Sequence, residues 1–224
     1  MNEEQDHGEE PRVDVNLQPN LRTAESLLIS GRAKNVLSIC VEVCSAAFYL
    51  DDDPGVLISA CLFGDGAGAA VLSREPQAGK RIFKWKDCDS LLSPGERDAL
   101  KFETRDGMLR NVLTVPVPGI AARHSREVFD RVLARNGIHR EQITGWIWHS
   151  GGRDVIAALR DQFGFRNGEM DHTAAVLREY GNISSACVYH VLERTLANGG
   201  PDGYWWMSSF GAGFSCHGAL LEVT

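Results

Sequence analysis

Residues 35–43, Asn-Val-Leu-Ser-Ile-Cys-Val-Glu-Val, constrain this chain more than any other stretch. Nine residues rich in β-branched and aliphatic side chains, with a single charge, read as a strand buried on both faces. A strand of that kind belongs inside a sheet, so the segment predicts a central sheet. Around it the pattern alternates. Leu21, Ala24, Leu27 and Leu28 recur at helical spacing and stop at Gly31, so a helix precedes the strand. A turn follows at 51–55, then an apolar run over 56–63 of ambiguous period, a glycine cluster at 64–68 and a short strand over 69–73.

Residues 74–81 read as a crossover loop and Ile82 begins another strand. An amphipathic helix spans 118–136, with Ile120, Ala121, Val128, Phe129, Val132 and Leu133 on one face and Gly137 behind it. Ile143–Trp148 is a strand ending on His149, and helices are predicted over 154–163, 171–180 and 183–198. Strands at 204–210 and 214–223 close the chain around Gly211-Ala212-Gly213. Strands alternating with helices and a final hairpin define an α/β fold with a mixed sheet.

The bulk properties exclude several classes. A net charge of −7 speaks against a nucleic-acid backbone as partner. No apolar run reaches the roughly 18–20 residues of a membrane span. The acidic stretch 1–19 lacks the basic flank and apolar centre of a signal peptide and is expected to be disordered. A cytoplasmic location follows as an expectation. The six cysteines, Cys40, Cys44, Cys61, Cys88, Cys187 and Cys216, are scattered and mostly lie in apolar runs, which fits buried free thiols. No second pair or nearby histidine turns Cys40 and Cys44 into a zinc site, and no metal or bound cofactor is expected.

Four motifs could carry chemistry, and each has a plain structural alternative. The glycines of Leu-Phe-Gly-Asp-Gly-Ala-Gly at 62–68 could cradle phosphate, but the residues after them are strand-like rather than helical, so a crowded bend fits equally. His149, in Trp-His-Ser-Gly-Gly, leaves the C-terminal end of a buried strand, where α/β sheets hold ligands. It could also be a satisfied structural histidine. Asn182, in Glu-Tyr-Gly-Asn-Ile-Ser-Ser-Ala-Cys, suits the N-cap of the next helix as well as a ligand-facing amide. Phe-Gly-Ala-Gly-Phe at 210–214 could be only a hairpin turn.

Taken in order, LFGDGAGAA, WHSGG, EYGNISSAC and FGAGFS resemble the corresponding blocks of chalcone and stilbene synthases, the type III polyketide synthase branch of the thiolase-like superfamily. The resemblance runs from about Leu21 to the C-terminus. It implies a thiolase-like mixed sheet with helices on both faces, here with an incomplete N-terminal half. The expected division is a disordered acidic 1–19, a remnant of the N-terminal half over 20–74, and a C-terminal synthase-like domain over 75–224. In such enzymes a cysteine takes an acyl group from a coenzyme A thioester, malonyl-CoA loses carbon dioxide, and the enolate attacks the acyl-enzyme. His149 and Asn182 match the catalytic histidine and asparagine. Phe63 matches the gating phenylalanine. Gly107, Ser184 and Cys44 match cavity positions, and Ala212 stands where the family usually has proline.

The family's nucleophile has no counterpart. Counting back by the family's spacing reaches Asp14, and no cysteine precedes Cys40. A carboxylate is a poor nucleophile toward a thioester. The expected activity is therefore a type III synthase-like acyltransferase that is inactive alone in full condensation. Its ligands are expected to be acyl-CoA and malonyl-CoA. The alternatives are a non-catalytic acyl-CoA-binding or interaction partner of a complete synthase, and a ketosynthase III-like enzyme of fatty-acid synthesis. A strand like 35–43, left uncovered, invites association. A homo-oligomer, or a complex with a chain that completes the fold, is expected.

Overall fold

The computed structural model describes residues 18–49, 51–76 and 79–224. The stretch 1–17, including Asp14, lies outside the described residues. Six α-helices and eight strands follow one another among those described: α1 (Gln18–Ile29), β1 (Asn35–Glu42), α2 (Pro54–Leu62), β2 (Gly66–Ser73), β3 (Phe83–Leu92), β4 (Leu100–Arg105), β5 (Met108–Leu113), α3 (Val117–Asn136), β6 (Ile143–Trp148), α4 (Arg153–Phe163), α5 (Asp171–Tyr180), α6 (Cys187–Ala197), β7 (Gly203–Gly211) and β8 (Ser215–Val223). The expected α/β class and mixed sheet are both present. Strands run in the order β3-β8-β7-β6, with β6 and β7 parallel and the other neighbours antiparallel.

The layers follow from which face of each element is apolar. On one side of the four-stranded sheet, Val128, Phe129 and Val132 of α3 and Ile156, Leu159 and Phe163 of α4 pack on Trp146, Trp148, Trp206 and Leu220. On the other side lie α1, through Leu21, Ala24 and Leu28, and α6, through Val188, Val191 and Leu192. These two helices also bear Cys40 and Leu72 of the antiparallel β1–β2 pair on their far side. The chain thus stacks β1–β2, α1 with α6, the four-stranded sheet, and α3 with α4.

Helix boundaries have local causes. Asp53 caps α2, its Oδ1 accepting from the backbone N–H of Gly55 at 2.8 Å and of Val56 at 3.3 Å, with Pro54 at the first helical position. That settles the ambiguous run over 56–63 as helix. Gly137 ends α3 in the left-handed conformation.

Three expectations are corrected. The strand over 35–43 is buried on one face only: Ser38 and Cys40 point inward, while Leu37, Ile39, Val41 and Val43 are exposed. Ile39 and Val41 of that face border a cleft shared with Phe63 and Phe102. Cys61, near the end of α2, is exposed rather than buried, because the outward side of that helix faces solvent. The segment read as one helix over 183–198 enters through a 3-10 turn, Ser184–Ala186, and becomes α-helical only at Cys187. The stretch between β3 and α3 also holds a hairpin, β4–β5, whose turn residues Asp106 and Gly107 are both left-handed.

Candidate active site

The site is assembled by two glycine motifs that touch backbone to backbone. The Asn182 N–H donates to the Leu62 carbonyl at 2.8 Å, and the Gly64 N–H donates to the Asn182 carbonyl at 3.1 Å. Phe63 and Asn182 thereby form an isolated parallel bridge. Such an approach leaves no room for side chains: a Cβ on Gly64 would lie 2.4 Å from the Tyr180 carbonyl oxygen, and one on Gly181 would lie 2.8 Å from that of Leu62. The bend at 62–68 is therefore the crowded one, and it fixes where Asn182 stands.

His149 reaches the same place from the other side. It directly follows β6, at the C-terminal end of the parallel β6–β7 pair, and its N–H donates to the Ser208 carbonyl at 2.9 Å. Its ring packs edge-on against Phe210, with centroids 4.8 Å apart. His149 and Asn182 line one cleft of about 500 Å³, together with Phe63, Ser184, Phe210 and Ala212. Phe63 and Ser184 also border a smaller cleft of about 310 Å³ that includes Cys44, Val56 and Phe102. Gly107 is apart from both, at the tip of the β4–β5 hairpin, because its left-handed backbone serves the turn.

Hydrogen bonds orient both polar side chains. Asn182 Oδ1 accepts from the Ser184 N–H at 3.0 Å, and its Nδ2 donates to the Gly151 carbonyl at 3.3 Å. Those partners fix which end of the amide is which, and one N–H of Nδ2 remains for a ligand. Its Oδ1 thus closes a turn onto Ser184 instead of capping the next helix, whose N-cap is Ala186, and the amide remains a candidate donor. Ser184 holds a left-handed backbone, φ 50°, an uncommon state for a serine.

His149 Nδ1 lies 2.8 Å from Cys187 Sγ, and the Ser150 N–H donates to the same sulfur at 3.4 Å. Burial pushes the Cys187 thiol up to about 12, so it keeps its proton. A protonated thiol whose sulfur already accepts from Ser150 is suited to donate to Nδ1. The imidazole hydrogen then resides on Nε2. Burial also lowers the imidazole to about 4, against smaller upward effects of the Ser184 backbone and the Glu42 carboxylate. At neutral pH the ring is uncharged, a hydrogen-bond donor rather than a cation. Cys187 was visible in the sequence only as one more buried thiol, and its role as partner of His149 required the fold. Glu42 was missed as well. It accepts from the Ser185 N–H at 3.2 Å and from the Ser185 hydroxyl, which ties β1 to the turn that carries Asn182. A lone charge in an apolar strand was the available signal.

Two expected results test these assignments. His149 has an ordinary value of 6.5 and a folded value of about 4. Between those values the unfolded chain binds the extra proton, so its contribution is fully present above pH 6.5 and is lost as pH falls toward 4. The loss reaches about 3 kcal/mol at pH 4. Urea unfolding from pH 7.5 to 4.5 should show a steeper decline in wild type than in His149→Gln; equal slopes would refute the buried neutral histidine. Iodoacetamide on the native protein at pH 8 should modify Cys61 first and spare Cys187 and Cys216 until unfolding. Peptide mapping that found Cys187 labelled as fast as Cys61 would contradict its burial.

Among the described residues no three His, Cys, Asp or Glu side chains are grouped to hold a metal ion, and no helix is long and apolar enough to cross a membrane. The layered fold and the His–Asn cleft at strand ends define a thiolase-like α/β protein. The family model for chalcone and stilbene synthases, C-terminal domain, matches residues 90–222, and this chain belongs to that family. The model for 3-oxoacyl-[acyl-carrier-protein] synthase III matches residues 19–87.

Among curated proteins, the 3,5-dihydroxyphenylacetyl-CoA synthase of Streptomyces toyocaensis is 31% identical over 195 residues, covering 82% of this chain and 49% of its own. That of Amycolatopsis balhimycina is 33% identical over 190 residues, covering 82% and 50%. The chain spans about half the length of these relatives. Of solved structures, PKS-I from the brown alga Ectocarpus siliculosus superposes with a TM-score of 0.83 at 27% identity, over 92% of this chain and 57% of its own. The C-terminal type III polyketide synthase domain of Steely1 from Dictyostelium shares the fold, with a TM-score of 0.80 at 21% identity.

Proposed function

We propose that this chain carries the enolate-stabilising part of a type III polyketide synthase-like acyltransferase acting on coenzyme A thioesters. The observation that carries the proposal is the meeting of His149 and Asn182 in one cleft, held by the Phe63–Asn182 bridge. When malonyl-CoA occupies the cleft, its carboxylate leaves as carbon dioxide. The electron pair of the broken C–C bond passes to the thioester carbonyl. His149 Nε2–H and Asn182 Nδ2–H donate to the oxygen that gains the charge. Neutral donors fixed by Cys187, Gly151 and Ser184 need no reorganisation as that charge appears. The enolate carbon then attacks an acyl thioester, or takes a proton from water to give acetyl-CoA.

Condensation needs a thiol to hold the acyl group. Cys187 is within reach of His149, but its full burial and raised thiol value make it a poor nucleophile. The acyl carrier therefore lies outside the described residues, and this chain acts within an oligomer or with the rest of a synthase fold. Phe63, at the border of both clefts, is the proposed gate, and Cys44, Ser184 and Ala212 shape the space the acyl group takes. The ketosynthase III reading keeps support from the match over 19–87 and uses the same donors. The synthase reading is preferred because the longer match and the named relatives point to it.

Acetyl-CoA formation from malonyl-CoA, followed chromatographically, tests the proposal. Slow formation above the buffer rate is expected, and a rate equal to buffer would reject it.

A further inference from the structure

Strand register places a second group of polar side chains beside His149. Ser90 and Ser209 both pair with His217, and Trp148 pairs with Ser208, which puts His149 next to Ser209. Ser90, His217, Ser209 and His149 therefore form one row across β3, β8, β7 and β6. Alternation along the strands turns this row to the face that carries Met207, Ala219 and Ile147, the side of α1 and α6. His149 meets Cys187 of α6 on that side. Ser209 and His217 do not join the apolar core there but line the cleft of about 500 Å³ that holds His149 and Asn182. His217 Nδ1 lies 2.9 Å from the Ser90 hydroxyl, which leaves Nε2 for the cleft. Among the described residues the Ser209 hydroxyl has no hydrogen-bond partner, and it is not shut away from the cleft.

We infer that Ser209 and His217 form a subsite for the free carboxylate of a malonyl thioester and so select it over unsubstituted acyl thioesters. The inference rests on the reading of His149 and Asn182 as the site of the thioester oxygen. Spacing supports it. Neighbouring strands are about 4.8 Å apart, so Ser209 stands one strand from His149. In a malonyl thioester a single methylene separates the carboxylate from the thioester carbonyl. Charge supports it too. Among the described residues no aspartate or glutamate lines the cleft, and Arg22 of α1 is the cation that acts on His217. Burial and that guanidinium hold the imidazole below its ordinary value, so the ring is uncharged at neutral pH. A Ser90 hydroxyl that donates to Nδ1 puts the ring hydrogen on Nε2, where it serves an anion. Elsewhere on the wall Phe63, Phe102 and Leu113 offer no side-chain donor. Bonds to the carboxylate belong to the ground state. As it leaves as neutral carbon dioxide their partner is lost, so they strengthen binding without speeding the chemical step.

Kinetics and calorimetry test it together. Ser209→Ala should raise KM for malonyl-CoA about tenfold while kcat holds, the effect of losing one hydrogen bond to a charged group. His217→Leu should do the same, with partial rescue in His217→Gln, which keeps an N–H donor. Calorimetric titration of His149→Ala gives a readout without turnover. There malonyl-CoA should bind about tenfold tighter than acetyl-CoA. Adding Ser209→Ala should erase that difference and leave the affinity for acetyl-CoA unchanged. Equal affinities for the two ligands, a difference that survives Ser209→Ala, or a fall in kcat at constant KM would overturn the inference. If neither ligand bound, the proposed function would fall with it. A malonyl preference without acetyl-CoA formation would count against the proposed function alone, and decarboxylation without the preference against the subsite alone.

Discussion

Replacing His149 with alanine should lower acetyl-CoA formation from malonyl-CoA by about 10²–10³-fold, and Asn182→Ala should do the same. Each removes one of two donors proposed to face the oxygen on which charge develops. The double variant should be scarcely worse than either single one, because donors that act as a unit are not additive. Both side chains are buried, so circular dichroism and urea midpoints must accompany the rates. His149→Gln provides a second arm, since it keeps an N–H donor in a similar volume. Partial retention there would separate lost donation from lost packing. Wild-type rates in both alanine variants would remove His149 and Asn182 from the proposed chemistry.

Gly64→Ala should cost stability toward the upper end of the range for overpacking, about 3 kcal/mol. The added methyl would sit 2.4 Å from the Tyr180 carbonyl oxygen, a backbone atom that cannot rotate away. Relief requires parting the two motifs, which breaks the bond from the Gly64 N–H to the Asn182 carbonyl. The variant should therefore lose decarboxylation although it retains every polar group of the site. Chemical denaturation and the acetyl-CoA assay check both halves of the expectation. A stable and active Gly64→Ala would mean that the Phe63–Asn182 bridge does not hold the site.

Much of this was legible in the sequence because local signals agreed with the global fold. The apolar stripe Leu21–Ala24–Leu28, the face of α3 and the stop at Gly137 all reflect a single helical period, and the structure keeps them. His149 and Asn182 were singled out through the family resemblance of their motifs, each signal being weak alone, and the structure explains the sterics of the glycines around them. What was not legible depended on layers. Whether Leu37, Ile39 and Val41 are covered is decided by whatever packs over them, and strand propensity is the same in either case. The turn at Asp106-Gly107 carried the strongest short hairpin signal, an Asp-Gly pair, but Gly107 was read through the family resemblance as a cavity residue. The pairing of His149 with Cys187 joins residues 38 apart, a contact that no local pattern encodes.

The central claim is that a neutral His149, protonated on Nε2, and the Asn182 amide donate together to a thioester oxygen. The most direct test is nitrogen NMR on protein labelled at histidine and asparagine side chains, titrated with acetyl-CoA at pH 7. The account predicts a neutral His149 with its hydrogen on Nε2, and movement of that signal and of Asn182 Nδ2 along one saturation curve. A His149 that is charged, or carries its hydrogen on Nδ1, or a titration that moves neither signal, would contradict it.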